Sequence, residues 1–347
     1  MIDGQKRGFM QFQDVRAFLD SILDEDIHTK RVDSLANATL GVMTGASLGV
    51  AIIGKSLAQA RGLLPKHAIK QVDRLLSNSK LEAWDVFASW VPEMVGSRTD
   101  IVVAMDWTDF DADGQATLAL KLVTRHGRAT PLVWLSVLKD ELKDARNDCE
   151  DACLRRLAEV LPAGVRVTLL AGFADTKLFE FLGELGFGYV IRLKGNTRVG
   201  AADGTARPAQ EWIGQGGRAR KLRDAAITEA QCPVGAAVCV HAKGMKEPWC
   251  LVTGSRDATA PQIIKLYSKR WTVEPSFRDT KELRFGLGAV RIADPQRRDR
   301  LLLLNAFAVV LLTRLGAAGE SLGMTSSPIP SRLAPIPCSA KAVCSTT

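Results

Sequence analysis

From residue 100 onward, apolar residues stop recurring every three or four positions and gather into short compact runs. That change of period dictates a mixed α/β architecture. Ile101–Met105 forms one such run and closes on Asp106; Ala116–Val123 and Pro131–Leu138 form two more, with Asp113-Gly114 and His126-Gly127 as turn signals. Helical spacing returns over Asp148–Leu161, followed by a strand at Val165–Ala171, a helix at Lys177–Leu185 and a strand at Phe187–Leu193. The order βββαβαβ predicts three antiparallel strands extended by parallel ones, with helices covering the sheet.

The flanks read differently. Residues 10–95 predict an all-helical region: Phe12, Val15, Phe18, Leu19, Ile22 and Leu23 recur at helical spacing, as do Ile69, Val72, Leu75 and Leu76 after the break at Pro65. Leu81, Trp84, Phe87 and Val91 mark a further helix. The cationic stripe Lys66, His67, Lys70 and Arg74 suits either a DNA groove or the solvated side of a simple bundle. Residues 195–255 are glycine-rich, and Val238–His241 and Trp249–Val252 flank a turn as a β-hairpin would. The segment Thr325–Thr347 carries four prolines and no acid, a composition unable to bury a core, and is expected to be disordered.

At 347 residues the chain can bury a substantial core and accommodate about two domains. Phe9–Asp26 alternates polar and apolar residues, unlike a signal peptide, and the longest apolar run, Leu301–Leu312, is broken by Asn305 and too short to span a bilayer. No membrane partner is expected. A net charge of +8 favours a polyanionic partner, with clusters at Arg218, Arg220, Lys221, Arg223 and at Arg291, Arg297, Arg298, Arg300; each cluster alone could equally be a solvated face. Seven cysteines, an odd number without a secretory segment, point to a reducing cytoplasm rather than a disulfide framework.

The chemistry concentrates in the run from Tyr267 to Lys281. If it is helical, positions 270, 274, 277, 278 and 281 fall three or four apart, which puts Glu274 on one face between Arg270 and Lys281. A carboxylate can hold a divalent metal and cations can hold phosphate oxygens, and phosphoryl transfer needs both together. Intrahelical ion pairs on a solvated face would give the same pattern. Asp109, Asp111 and Asp113 before Gly114 look like the start of a calcium loop, but its twelfth position is Leu120 rather than a bidentate Glu, so Asp113-Gly114 reads as a hairpin turn.

The spacing Y-x2-R-x3-E-x6-K resembles the signature of DDE transposases of the insertion-sequence-4 family, and the resemblance extends over roughly residues 10–320. It implies a ribonuclease-H-like mixed sheet with helices over residues 97–194 and 256–320. A helical DNA-binding region would occupy 1–96, a β-rich insertion 195–255 and an altered tail 321–347. It also implies a cytoplasmic enzyme that cuts at its element's terminal repeats and joins them to target DNA, with Mg²⁺ (or Mn²⁺) as cofactor and a homodimer in the DNA complex. Asp106 matches the first catalytic carboxylate and Glu274 the third, both as metal ligands; Tyr267, Arg270 and Lys281 match phosphate-contacting residues. Trp249, or Trp212, could stack on a flipped base or simply belong to the core. The second carboxylate is missing. The family reads Asp-Arg-Gly-Phe after the fourth strand, and this chain reads Leu170-Ala171-Gly172-Phe173-Ala174-Asp175, as if two residues had been deleted. Asp175 is either a displaced ligand or the N-cap of the following helix. The resemblance therefore leaves two readings, an active transposase or a defective copy that binds element ends and inhibits active ones.

Overall fold

A computed structural model describes residues 10–23, 27–124, 127–173 and 176–321. Five helices open the chain: α1 (Phe12–Ile22), α2 (Thr29–Gly45), α3 (Val50–Arg61), α4 (Pro65–Leu76) and α5 (Ala83–Val95). Pro65 sits in the first turn of α4, where its missing N–H has no helical acceptor to lose. Two glycines let the backbones of α2, α3 and α4 close on one another. A Cβ on Gly54 would stand 2.5 Å from the Ile69 Cα, and one on Gly41 would stand 2.6 Å from the Ile53 carbonyl oxygen. Only glycine fits at such an approach.

The sheet begins with β1 (Asp100–Phe110), β2 (Gln115–Val123) and β3 (Ala129–Leu138), joined as antiparallel hairpins. Helix α6 (Arg146–Val160) then crosses to β4 (Arg166–Ala171), and α7 (Thr176–Glu184) to β5 (Gly188–Leu193); β4 lies parallel to both β1 and β5. Each predicted strand and helix of this unit forms within a few residues of its predicted limits. One difference matters. Asp106 does not close its strand, because β1 runs on to Phe110, its last residues paired only with β2. The parallel neighbour β4 stops opposite Met105, so Asp106 stands where the parallel part of the sheet ends.

The hairpin predicted after residue 195 forms as β9 and β10, and it extends the same sheet. After β6 (Arg198–Gly200), β7 (Ala206–Pro208) and β8 (Arg220–Ile227), β9 (Cys232–Val240) returns against β10 (Trp249–Thr253), and β10 pairs antiparallel with β5. The result is a ten-stranded sheet in the order β3-β2-β1-β4-β5-β10-β9-β8-β6-β7. Trp212 is buried with its indole N–H donating to the Val199 carbonyl at 2.9 Å, so it is a core residue of this region.

The chain then runs through α8 (Ala260–Ser268), α9 (Val273–Arg278) and the long helix α10 (Pro295–Ser321). The apolar run at Leu301–Leu312 had suggested a segment too short for a bilayer. Among the described residues, α10 is in fact long and apolar enough to cross one by length and composition. Its N-terminal half is instead a core spine. Phe307 packs edge-on against Trp90 and Phe18, and Arg300 donates to the Leu81 and Leu76 carbonyls. Arg298, fully buried, donates to Asp113 (2.5 Å) and Gln115 (2.6 Å). Asp113 thus anchors α10 to the β1–β2 turn, where Gly114 adopts a left-handed φ of +61°. The proline-rich stretch at 325–347 and Asp175 lie outside the described residues.

Candidate active site

Successive side chains of a strand alternate between faces, and Asp106, Thr108 and Phe110 share one face of β1. Trp107 points the other way and donates its indole N–H to Glu150 on α6 at 2.8 Å. Over the Asp106 face lies the Tyr267–Lys281 run, helical as its spacing predicts but not one regular helix. Helix α8 passes through a 3₁₀ turn at Lys269–Thr272 into α9, then into a π-helical turn at Asp279–Leu283. Such irregular turns re-aim side chains that a straight helix would hold at fixed spacing. Ile263, Tyr267 and Val273 seal this segment to the sheet against Ala104, Leu170, Val190 and Leu251.

Arg270 is the centre of the arrangement. Its guanidinium is almost wholly buried, donates one N–H to Asp106 Oδ2 at 2.7 Å and stands 3.7 Å from Glu274 Oε1. The two carboxylates therefore meet through a shared cation. Burial pushes the Asp106 carboxyl above the ordinary aspartate range, with Arg270 pulling it back, and burial raises Glu274 in the same way. Burial also raises the Tyr267 phenol.

Beside this bridge there is a gap. One step beyond the last β1–β4 pair, Gly172 comes alongside Asp106. A Cβ on Gly172 would lie 3.9 Å from the Arg270 Cζ and 3.9 Å from the Tyr267 hydroxyl, both comfortable contacts. Among the described residues, the Tyr267 hydroxyl and Arg270 Nε are buried and make no hydrogen bond. A buried donor without a partner is costly, and both of these lie within 4.0 Å of where a Gly172 Cβ would stand.

The remaining expected residues are spread more widely. Lys281 Nζ donates to the Asp109 carbonyl at 2.6 Å, further along β1 than Asp106, and so does not join the Arg270 cluster. Trp249 packs edge-on against Tyr267 at 5.1 Å between ring centroids. One residue escaped the sequence reading. Lys121, buried on β2, donates to Ser276 at 3.0 Å and lies 3.5 Å from the centre of the Phe277 ring; burial pulls its pKa down to about 7. A lone lysine inside the apolar run Ala116–Val123 was the available signal.

The paired carboxylates and the arginine of the signature segment gather where the parallel strands of a ten-stranded mixed sheet end, an arrangement of the kind that phosphoryl transfer needs. The comparison with known families agrees: the transposase DDE domain matches residues 97–311, more than half of the chain. The chain belongs to the DDE transposase family, and the sheet has the ribonuclease-H-like fold that this family implies. No curated protein matches it.

DDE transposases generally use divalent metal ions. Here the donor set does not fit one as it stands. Asp106 and Glu274 already share the Arg270 guanidinium, Gly172 offers no side chain between them, and no group of three or more potential metal ligands occurs among the described residues. The arginine between the two acids already balances their charge.

Proposed function

We propose that this chain is an insertion-sequence transposase of the insertion-sequence-4 kind that recognises duplex DNA at its element's ends and cuts it poorly. The observation that carries this reading is the Asp106–Arg270–Glu274 bridge beside Gly172. The Tyr-Arg-Glu-Lys spacing supports the assignment to the insertion-sequence-4 kind, and the net charge of +8 supports a polyanionic partner. Arg270 holds Asp106 and Glu274 with no third acid beside them among the described residues, while exposed Arg278 and half-buried Lys281 offer cations on the same segment for backbone phosphates. A DNA phosphate oxygen is an acceptor that the unpartnered Arg270 Nε and Tyr267 hydroxyl lack. Affinity survives the loss of one strand-end carboxylate because it depends on these cations; rate does not, because it depends on positioned charge at the reacting phosphate.

This reading favours the defective-copy alternative over an efficient enzyme. A binder that retains the family's DNA contacts and pairs with intact copies would act as an inhibitor at element ends. The test is binding of duplex DNA carrying the element's ends across a salt series. Log affinity should fall steeply with log salt, by roughly 0.9 per phosphate contact. A flat dependence, or no binding at low salt, overturns the proposal.

A further inference from the structure

A cavity of about 420 Å³ lies beneath the signature segment, between the Asp106 face of β1–β3 and α10. That volume is within the range of small-molecule sites. Its walls combine three unlike features. Phe110, Phe277, Phe285, Leu302 and Val309 supply an apolar body. Lys121, Arg128, Lys281 and Arg284 face a single lining carboxylate, Asp279, which pairs with Arg128 at 2.7 Å and with Arg284 at 3.8 Å. Asn305, 6% exposed, donates its amide to Thr280 at 3.3 Å but leaves its carbonyl oxygen buried without a donor among the described residues.

Lys121 lines the cavity from the sheet and makes no ion pair among the described residues; its one hydrogen bond is to the neutral Ser276 hydroxyl. Asp106 and Asp279 are the acids close enough to favour its charge, against the burial that opposes it. A lysine with no direct ion pair, an acceptor without a donor among the described residues and an aromatic wall describe a ligand by complement. We propose that this cavity binds a small amphipathic anion: an aromatic body over the Phe110 and Phe285 rings, an anionic group against Lys121, and an N–H or O–H donor to Asn305. Because Ser276, Phe277 and Lys281 form one wall, such a ligand would also fix the signature segment against the sheet.

The probe is 8-anilinonaphthalene-1-sulfonate, which carries an aromatic body, a sulfonate and an N–H donor. Its fluorescence should titrate the full chain with one saturable site. Val309→Trp, which fills the cavity from α10, should abolish that site, and Lys121→Met should weaken it at least about tenfold, the loss of one charge-assisted hydrogen bond. Leu315→Gln should leave it unchanged, since Leu315 is exposed on α10 and does not line the cavity. Far-UV circular dichroism confirms that each variant is folded; should Val309→Trp fail to fold, Lys121→Met and Leu315→Gln decide between the sites. Binding that survives in folded Val309→Trp, is equal in Lys121→Met, or is lost in Leu315→Gln overturns the proposal, as does no binding to the unaltered chain. DNA affinity is read separately, so a failure here leaves the transposase reading intact.

Discussion

Gly172→Asp is the sharpest perturbation available to the site. Gly172 does not have a left-handed φ, so an L side chain imposes no backbone strain there. Its Cβ would meet Arg270 Cζ and the Tyr267 hydroxyl at 3.9 Å and Arg270 Nε at 4.0 Å, none of them a clash. The carboxylate, one carbon further out, comes within reach of both unpartnered donors. Each charged hydrogen bond so formed contributes about 1.5–3 kcal/mol, against several kcal/mol for placing a third negative charge in a partly buried site. These nearly cancel, so the melting temperature should change little. Activity should change much more. The new acid stands beside Asp106 and competes for Arg270, loosening the bridge to leave three carboxylates around one space. Misplacing a catalytic group by about an ångström already costs on the order of a hundredfold, so restoring an absent one should raise Mg²⁺-dependent nicking by at least about that factor. Single-end nicking of labelled duplex is the assay, with affinity measured in parallel by fluorescence anisotropy and expected to change little. A folded, DNA-binding Gly172→Asp protein that nicks no faster than the parent refutes the reasoning, as does a parent that already nicks efficiently.

Two further outcomes follow from the buried charges. Arg298→Ala takes from Asp113 its closest partner, leaving Arg291 at 3.8 Å and the Ile292 N–H at 3.2 Å, and should destabilise the protein by about 3 kcal/mol in urea unfolding, whereas a loss below ~1 kcal/mol would show that α10 is anchored by packing alone. Asp299 accepts from the Ser136 N–H, and burial raises its pKa to about 7 from 3.8, so the folded state holds a proton that the unfolded chain has released between about pH 4 and 7. Stability from this group is complete below about pH 4 and is lost as pH rises through 7. Asp299→Asn should therefore gain stability relative to the parent between pH 4.5 and pH 8, and an equal difference at both values would contradict the assignment.

What the sequence disclosed and what it withheld divide along physical lines. Hydrophobic period located the strands β1 to β5 and the helices between them, because burial of one face or both leaves a direct trace in residue order. The Asp-Gly signal marked the β1–β2 turn because Gly114 can adopt a left-handed φ, while His126 of the second signal lies outside the described residues. The run from Tyr267 was legible as helical, but its 3₁₀ and π-helical turns were not, since they follow from contacts with the sheet. The continuation of β1 past Asp106 was likewise invisible: residues 107–110 are held by pairing with β2 rather than by an apolar pattern of their own. The absence of an acid at Gly172 was plain in the sequence. That Arg270 bridges Asp106 and Glu274 depended on side chains 164 and 4 residues apart meeting in space. Arg298 looked like part of a surface cluster with Arg291, Arg297 and Arg300, yet it is fully buried on Asp113 and Gln115.

The central claim, that Arg270 already balances the charge of Asp106 and Glu274, is tested most directly by titrating the unaltered chain with Mn²⁺ and following free Mn²⁺ by electron paramagnetic resonance. Because the guanidinium already neutralises Asp106 and Glu274 and Gly172 supplies no ligand, no saturable site should form below about millimolar Mn²⁺, a weak affinity worth about 4 kcal/mol or less. A saturable site at micromolar Mn²⁺ that disappears in Asp106→Asn would contradict the account.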